Sequence, residues 1–237
     1  MEYRPQLLVF VRHAESVWNR MAPHKRGQVK EAPPELKGIP DNRTPLSEDG
    51  KVQAVKTGQK LAELFGSFDE VYYSPWVRAS QTAMLIFTQF PEPAKSQMAN
   101  RLFRNLFLME QNFGDLDVGI GDPEDINEGY KKFYKLRETA GKFYLRPPNG
   151  ESWADVAMRT HQFLDAIFRE NRDRHRILVV THGITLTTLR YHLERIHEER
   201  LEELGRENSA KNCGVYSYQW NEQLSRYQPD LCNETFY

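Results

Sequence analysis

Two histidines and two arginines stand where an alternating sheet-and-helix chain would gather its chemistry. Arg12 and His13 follow an apolar run at residues 7–11, LLVFV, with Asn19 a turn or two beyond. Thr181, His182 and Gly183 follow a second apolar run, ILVV at 177–180. Ser74 follows EVYY at 70–73, and Arg78 falls on the first turn of the helix expected behind it. If the three runs are neighbouring parallel strands, Arg12, His13, Arg78 and His182 converge on one edge. Two guanidinium forks and two imidazoles in one cleft suit a tetrahedral anion, because a planar fork matches a pair of phosphate oxygens. The cations also lower the pKa of a neighbouring imidazole, which keeps His13 neutral and nucleophilic at pH 7. Helix starts nearby add backbone N–H donors. Taken singly, each residue has a plainer reading: an Arg-His pair arises by chance, His182 serves as a satisfied core histidine, and Arg78 lies on a helix surface. The signal is their ordered placement at strand ends.

The elements that must position these residues are legible in outline. Continuous apolar runs mark strands covered on both faces. Ser47 is placed to cap a helix through about Gly66, with Glu48 and Asp49 in the first turn where the helix dipole favours them. Ser74–Pro75 is expected to cap the next helix, which runs to about Gln89 and is ended by Pro91 and Pro93. Residues 98–109 read equally as strand or helix; 125–143 read as helix, and the turn PPNGES at 147–152 leads into a helix of about 18 residues. Residues 213–220, CGVYSYQW, alternate as a late strand. Strands separated by helices imply an α/β fold, a three-layer α/β/α sandwich around a mostly parallel sheet, with the active site at the carboxyl ends of the strands. No repeat or composition break divides the chain, so residues 1–237 read as a single domain. Residues 20–46 form a long loop rich in Pro, Gly and charge, a length that reads as either functional or mobile.

Composition narrows the partners. The chain has 32 Lys and Arg against 33 Asp and Glu, so no global basic field exists to hold nucleic acid or an anionic membrane. Any anion must be held by a few local cations. The two cysteines, Cys213 and Cys232, match no zinc or redox spacing and read as free thiols in a reducing compartment. No stretch approaches the roughly 18 apolar residues of a membrane span, and the N-terminal run reads as a strand rather than a leader, so a cytoplasmic location is expected. Lys131, Lys132, Lys135, Arg137, Lys142 and Arg146 read first as a solvated helix face, and second as part of a lid around 118–148 that draws in anions. His192 and His197 are poorly spaced to share a metal and read as surface residues. Gly119 and Gly121 lack the third glycine of a dinucleotide fingerprint. Trp18 and Trp153 read as packing residues, with Trp18 close enough to Asn19 to line a pocket.

Six segments, in order, resemble the histidine phosphatase superfamily, its phosphoglycerate-mutase-like branch: VRHAESVWN (11–19), TPLSEDG (44–50), YYSPWVRASQTA (72–83), EQNFGDLD (110–117), PPNGES (147–152) and VVTHGIT (179–185). The resemblance implies a phosphoglycerate-mutase-like fold and a metal-independent mechanism without a cofactor. It implies that His13 is the nucleophile and carries the phosphoryl group. Arg12, Arg78, His182 and Gly183 would surround the phosphate, with Asn19 donating to it or orienting the pocket. Glu110 stands where the family keeps its general acid, a role that requires it to carry a proton when substrate binds. The sequence departs from the pattern at Ala14, where glycine is usual. Mutases of the family follow the acid with Arg-His-Tyr and the His-Gly with Asn, and carry a lysine farther on. Here Gln111, Asn112 and Phe113 follow Glu110, Ile184 follows Gly183, and Ile120–Gly121–Asp122 fills the lysine region. The loop at 20–43 is also longer than usual. The departures after Glu110 and Gly183, with the missing lysine, favour water as the acceptor, and the long loop bears on substrate specificity. The expected function is a phosphomonoester hydrolase acting on a small-molecule phosphate ester; the alternatives are mutase-type phosphoryl transfer and an inactive phospho-ligand-binding or scaffold protein. Oligomeric state is left open, a homo-oligomer included.

Overall fold

Alternation inside the two apolar runs sets the layers. In β1 (Leu7–Arg12), Leu7, Val9 and Val11 face one way, and Leu8 and Phe10 the other. In β4 (Arg176–Thr181), Leu178 and Val180 join the first set, and Ile177 and Val179 the second. All nine are buried, which only a sheet covered on both sides allows. Each such side chain contributes about 1.5–3 kcal/mol on burial. The computed structural model describes residues 4–21, 36, 38–117, 123–169, 175–207 and 209–237.

The sheet has six strands in the order β3-β2-β4-β1-β5-β6. Strands β3 (Leu102–Arg104), β2 (Glu70–Tyr73), β4 and β1 are parallel; β5 (Val215–Asn221) and β6 (Arg226–Glu234) close one edge antiparallel. Helices α2 (Glu48–Phe65) and α3 (Val77–Phe87) cover one face through Leu61, Ala83 and Ile86. On the other face lie α6 (Trp153–Arg169) and α7 (Gly183–Glu194), through Phe163, Leu164, Ile167, Leu186 and Leu189. The expected three-layer α/β/α architecture is therefore present.

Local signals held in several places. Ser47 caps α2, its hydroxyl accepting the Gly50 N–H, and also donates to Glu15 Oε1 at 2.6 Å. Trp18 and Trp153 are buried packing residues, and Cys213 and Cys232 are both unpaired. The stretch 98–109 divides: α4 (Ala94–Met98) ends in it, β3 pairs with β2, and a 3-10 turn spans Leu106–Leu108. The basic helix, α5, spans Pro123–Ala140 and ends at Gly141, whose φ of +79° favours glycine. A Cβ at Gly141 would come within 2.9 Å of Glu202 Oε1.

One helix start differs from expectation. The Ser74–Pro75 pair does not cap α3, which begins at Val77 with Trp76 as its N-cap and no side-chain cap bond. Ser74 is committed elsewhere, its Oγ 2.7 Å from His182 Nε2. Two elements left no periodic trace: α8 (Glu198–Glu207), which is mostly charged, and β6, an exposed edge strand carrying Pro229. The α1 helix (Val17–Met21) precedes residues 22–35 and 37, which lie outside the described residues together with 118–122 and its paired glycines. Most of the long loop and the start of the expected lid thus fall outside the described residues. Among the described residues no helix is long and apolar enough to cross a membrane.

Candidate active site

Strand register brings the site together. Arg12 of β1 pairs with Thr181 of β4, so the next residues along, His13 and His182, lie side by side. The His13 N–H donates to the Thr181 carbonyl at 2.8 Å, and the Ser74 N–H donates to the Val180 carbonyl at 3.0 Å. These bonds fix three strand ends at one height. The imidazoles of His13 and His182 sit with ring centroids 5.1 Å apart. Arg78, from the first turn of α3, donates from Nε to His13 Nε2 at 3.2 Å.

The wiring of each ring decides its chemistry. His13 Nδ1 lies 2.7 Å from the Ala14 carbonyl. A carbonyl only accepts, so Nδ1 carries the proton and Nε2 presents its lone pair toward Arg78. Burial first, then the Arg78 and Arg12 charges, hold the His13 pKa well below the ordinary imidazole value. His182 is lowered likewise, by burial and then by Arg78. Its Nε2 meets Ser74 Oγ, while its Nδ1 is buried without a hydrogen-bond partner. Trp76 packs edge-on against His182 and lies beneath Arg78, whose guanidinium carbon is 4.7 Å from the ring centroid. Neutral imidazoles beside charged guanidinium groups make a cup for an anion with a nucleophile in its wall.

The remaining residues complete two sides. Arg12 donates to the Ala210 carbonyl at 2.5 Å, and its Nε is buried without a partner. Burial works against the Arg12 charge, and Glu110 supports it. Glu110 is held at the start of α7, where its carboxylate accepts the N–H groups of Ile184 and Thr185 at 3.2–3.3 Å, together with that of Gln111 at 3.0 Å. Gly183 lies between them: a Cβ there would stand 3.7 Å from both Arg12 Nε and Glu110 Oε2. Asn19 is bonded locally, its Oδ1 accepting from the Ser16 N–H and from Asn212 Nδ2. No bond from Asn19 to Arg12, His13, Arg78 or His182 is seen among the described residues.

Three contributors went unseen in the sequence. Ser74 orients His182. Arg159, on α6, donates to the carbonyls of Phe107 and Glu110 at 2.7 and 3.1 Å and pairs with Glu151, pinning the segment that carries Glu110. Asp41 pairs with Arg78 through both carboxylate oxygens, at 3.0 and 3.1 Å. A polar loop residue or a mid-helix arginine carries no periodic or spacing signal, and only contact reveals its role.

Beside the cup opens a cavity of about 490 Å³, lined by Asp41, Arg43, Trp76, Glu110, Phe113, Asp117 and Glu151 among others. A cavity of about 530 Å³ at the far end of β1, lined by Gln6, Leu7 and Arg176, holds none of the site residues. Among the described residues no cluster of ligand side chains could hold a metal. His192 is half-buried rather than on the surface, its Nε2 bonded to the Ala157 carbonyl at 2.8 Å. The described basic residues are largely engaged: Lys132 with Glu128, Arg146 with Asp155, and Arg137 and Lys142 over Trp153.

The family model of the histidine phosphatase superfamily (branch 1) matches residues 8–228, from β1 through β5 into the start of β6. The chain belongs to this superfamily. A phosphoglycerate mutase-like protein of Arabidopsis thaliana is 28% identical over 228 residues, covering 88% of this chain and 72% of the relative. A 2,3-bisphosphoglycerate-dependent phosphoglycerate mutase of Bartonella bacilliformis is 30% identical over 199 residues, covering 82% and 84%. Among solved structures, the alpha-ribazole phosphatase of Shigella flexneri superposes with a TM-score of 0.69 at 21% identity, covering 96% of each chain. A mycobacterial glucosyl-3-phosphoglycerate phosphatase complexed with inorganic phosphate gives 0.67 at 21%, covering 97% and 98%. These two structures establish the shared fold, and members of the superfamily carry phosphatase or mutase activity.

Proposed function

We propose that this histidine phosphatase superfamily member hydrolyses small phosphomonoesters through a phosphohistidine on His13. The observation that carries the reading is the His13 ring: neutral, with Nδ1 tied to the Ala14 carbonyl and Nε2 facing a buried arginine. In the first step Nε2 attacks phosphorus, the N–P bond forms, and the P–O bond to the alcohol breaks. Arg12, Arg78 and His182 meet the charge on the equatorial oxygens, with Gly183 leaving room between Arg12 and Glu110. Glu110, in the role the family gives that position, hands its proton to the leaving oxygen. It then takes a proton from water, which attacks the phosphohistidine and releases inorganic phosphate and free His13.

A mutase reading needs groups to hold a carboxylate and a second phosphate. The positions that would carry them are spent otherwise here. Gln111 donates to the Glu151 carbonyl, and Ile184 packs against the cluster of Phe143 and Trp153. The names of the sequence relatives keep the mutase as the second reading. Incubation with 3-phosphoglycerate and 2,3-bisphosphoglycerate separates them: free phosphate supports the hydrolase, and 2-phosphoglycerate the mutase. A chain that binds phosphate but turns over no ester in a broad panel would be a phospho-ligand-binding protein instead. Acid-labile labelling by substrate phosphate, present in wild type and absent in His13→Ala, tests the intermediate; turnover retained by His13→Ala would reject it.

A further inference from the structure

The cup is closed in the free protein, and one side chain closes it. His13 is 2% exposed, Arg78 5% and His182 0%. Asp41, in a 3-10 turn at Asp41–Arg43, stands between them and the open cavity with its side chain 30% exposed. Arg78 has five N–H bonds to give. One goes from Nε to His13. Two from Nη1 go to the Asp41 carbonyl and Oδ1, at 2.7 and 3.0 Å, and one from Nη2 goes to Oδ2 at 3.1 Å. A single N–H is left, too few for the paired grip on phosphate that a guanidinium fork provides. Asp41 therefore holds the face of Arg78 that a phosphate must take. A carboxylate presents two oxygens to the fork much as a phosphate does, so the two compete for the same donors.

Displacing Asp41 has a consequence. The freed carboxylate stays beside an incoming dianion, in a cavity that already carries Glu110 and Asp117. Glu151 on the same wall is neutralised by Arg159. The displaced charge stays in that cavity, with Arg43 the one described cation in its wall, and the alcohol half of the substrate enters beside it. We propose that Asp41 selects the substrate: it yields Arg78 to phosphate esters whose alcohol half brings an ammonium group or hydroxyl donors, and resists esters whose alcohol half is anionic. This rests on the phosphate-ester reading above.

Phosphoethanolamine and phosphoglycolate test it, since they differ in one end of a two-carbon alcohol. Phosphate release from each is measured for wild type, Asp41→Asn and Asp41→Ala, alongside calorimetric titration with inorganic phosphate. Wild type should favour phosphoethanolamine in kcat/KM by at least about tenfold, and both variants should lose that preference while binding inorganic phosphate at least about fivefold more tightly. Asp41→Asn keeps a polar partner of the same size on Arg78, so it guards against a folding defect in Asp41→Ala. A substrate ratio and a phosphate affinity both within twofold of wild type would overturn the proposal. The titration needs no turnover: if wild type hydrolyses neither ester, the selection fails for this pair, the hydrolase reading is judged on the broad ester panel, and the change in phosphate affinity still decides whether Asp41 competes for Arg78. Phosphate that binds neither wild type nor variant would sink the cup and the selection together.

Discussion

The floor of the site and its rim are built in different ways. The floor is the end of three parallel strands, where His13, Ser74 and His182 are placed by backbone bonds between neighbours and by residues buried on both sheet faces. The rim, residues 38–46 and 106–117, has almost no regular structure beyond three 3-10 turns. It is held by side chains reaching to backbone, as Arg159 does at Phe107 and Glu110 and Gln111 at Glu151. A floor of this kind moves only if the sheet moves. A rim of this kind can be altered one side chain at a time, so the reaction belongs to the floor and the choice of substrate to the rim.

That division can be broken by substitution. His13→Ala, in the floor, should lower kcat by at least about 10⁴-fold with the fold intact, because it removes the attacking nitrogen; a steady-state assay beside a thermal melt checks it. Arg159→Ala, on α6, releases the rim segment that carries Glu110 and should lower kcat by up to about 10²-fold by letting Glu110 drift. It should leave the affinity for inorganic phosphate within twofold, and a parallel loss of both would show that the rim holds the cup as well.

Acid sharpens the contrast further. His13 and His182 are held neutral when folded, with pKa values well below those of the unfolded chain. Below about pH 6.5 the unfolded state binds more protons, so stability is full above that value and falls as pH drops toward the folded pKa values. Each histidine contributes at most about 1.4 kcal/mol per pH unit. Urea unfolding at pH 7.5 and pH 5.0 should show the loss, and His182→Gln should reduce its slope. The smallest effect lies away from both regions. Ser47→Ala removes the cap of α2 and should cost about 1 kcal/mol in the urea transition. A cost near zero would mean that neither the cap on the Gly50 N–H nor the bond to Glu15 adds net stability.

What the sequence revealed follows the same boundary. Residues 7–11 and 177–180 are apolar without interruption, and only a doubly covered strand explains that, so the polar residues that end them had to share an edge. The expected meeting of Arg12, His13, Arg78 and His182 depends on that one inference. Asp41 and Arg159 gave no such hint: each acts through a contact between segments distant in sequence, set by packing that no local pattern encodes. Ser74 misled because its hydroxyl accepts the Trp76 N–H just ahead of α3 and meets His182, rather than reaching an N–H inside the first turn. The strand β6 was missed because an exposed edge strand with a proline has neither alternation nor apolar continuity.

The strand that carries His13 is made long before its neighbours in the sheet. Its partners on either side, β4 and β5, begin at Arg176 and Val215, and the loop ahead of β5 closes on the site, with the Cys213 N–H donating to the His13 carbonyl and the Arg12 N–H to that of Gly214. During synthesis LLVFV therefore waits, unpaired and apolar, until residues 176–181 and then 215–221 have left the ribosome. Over that interval it is an open sheet edge able to stick to other nascent chains, so the production of active protein in a cell is set by how well this stretch is shielded while it waits.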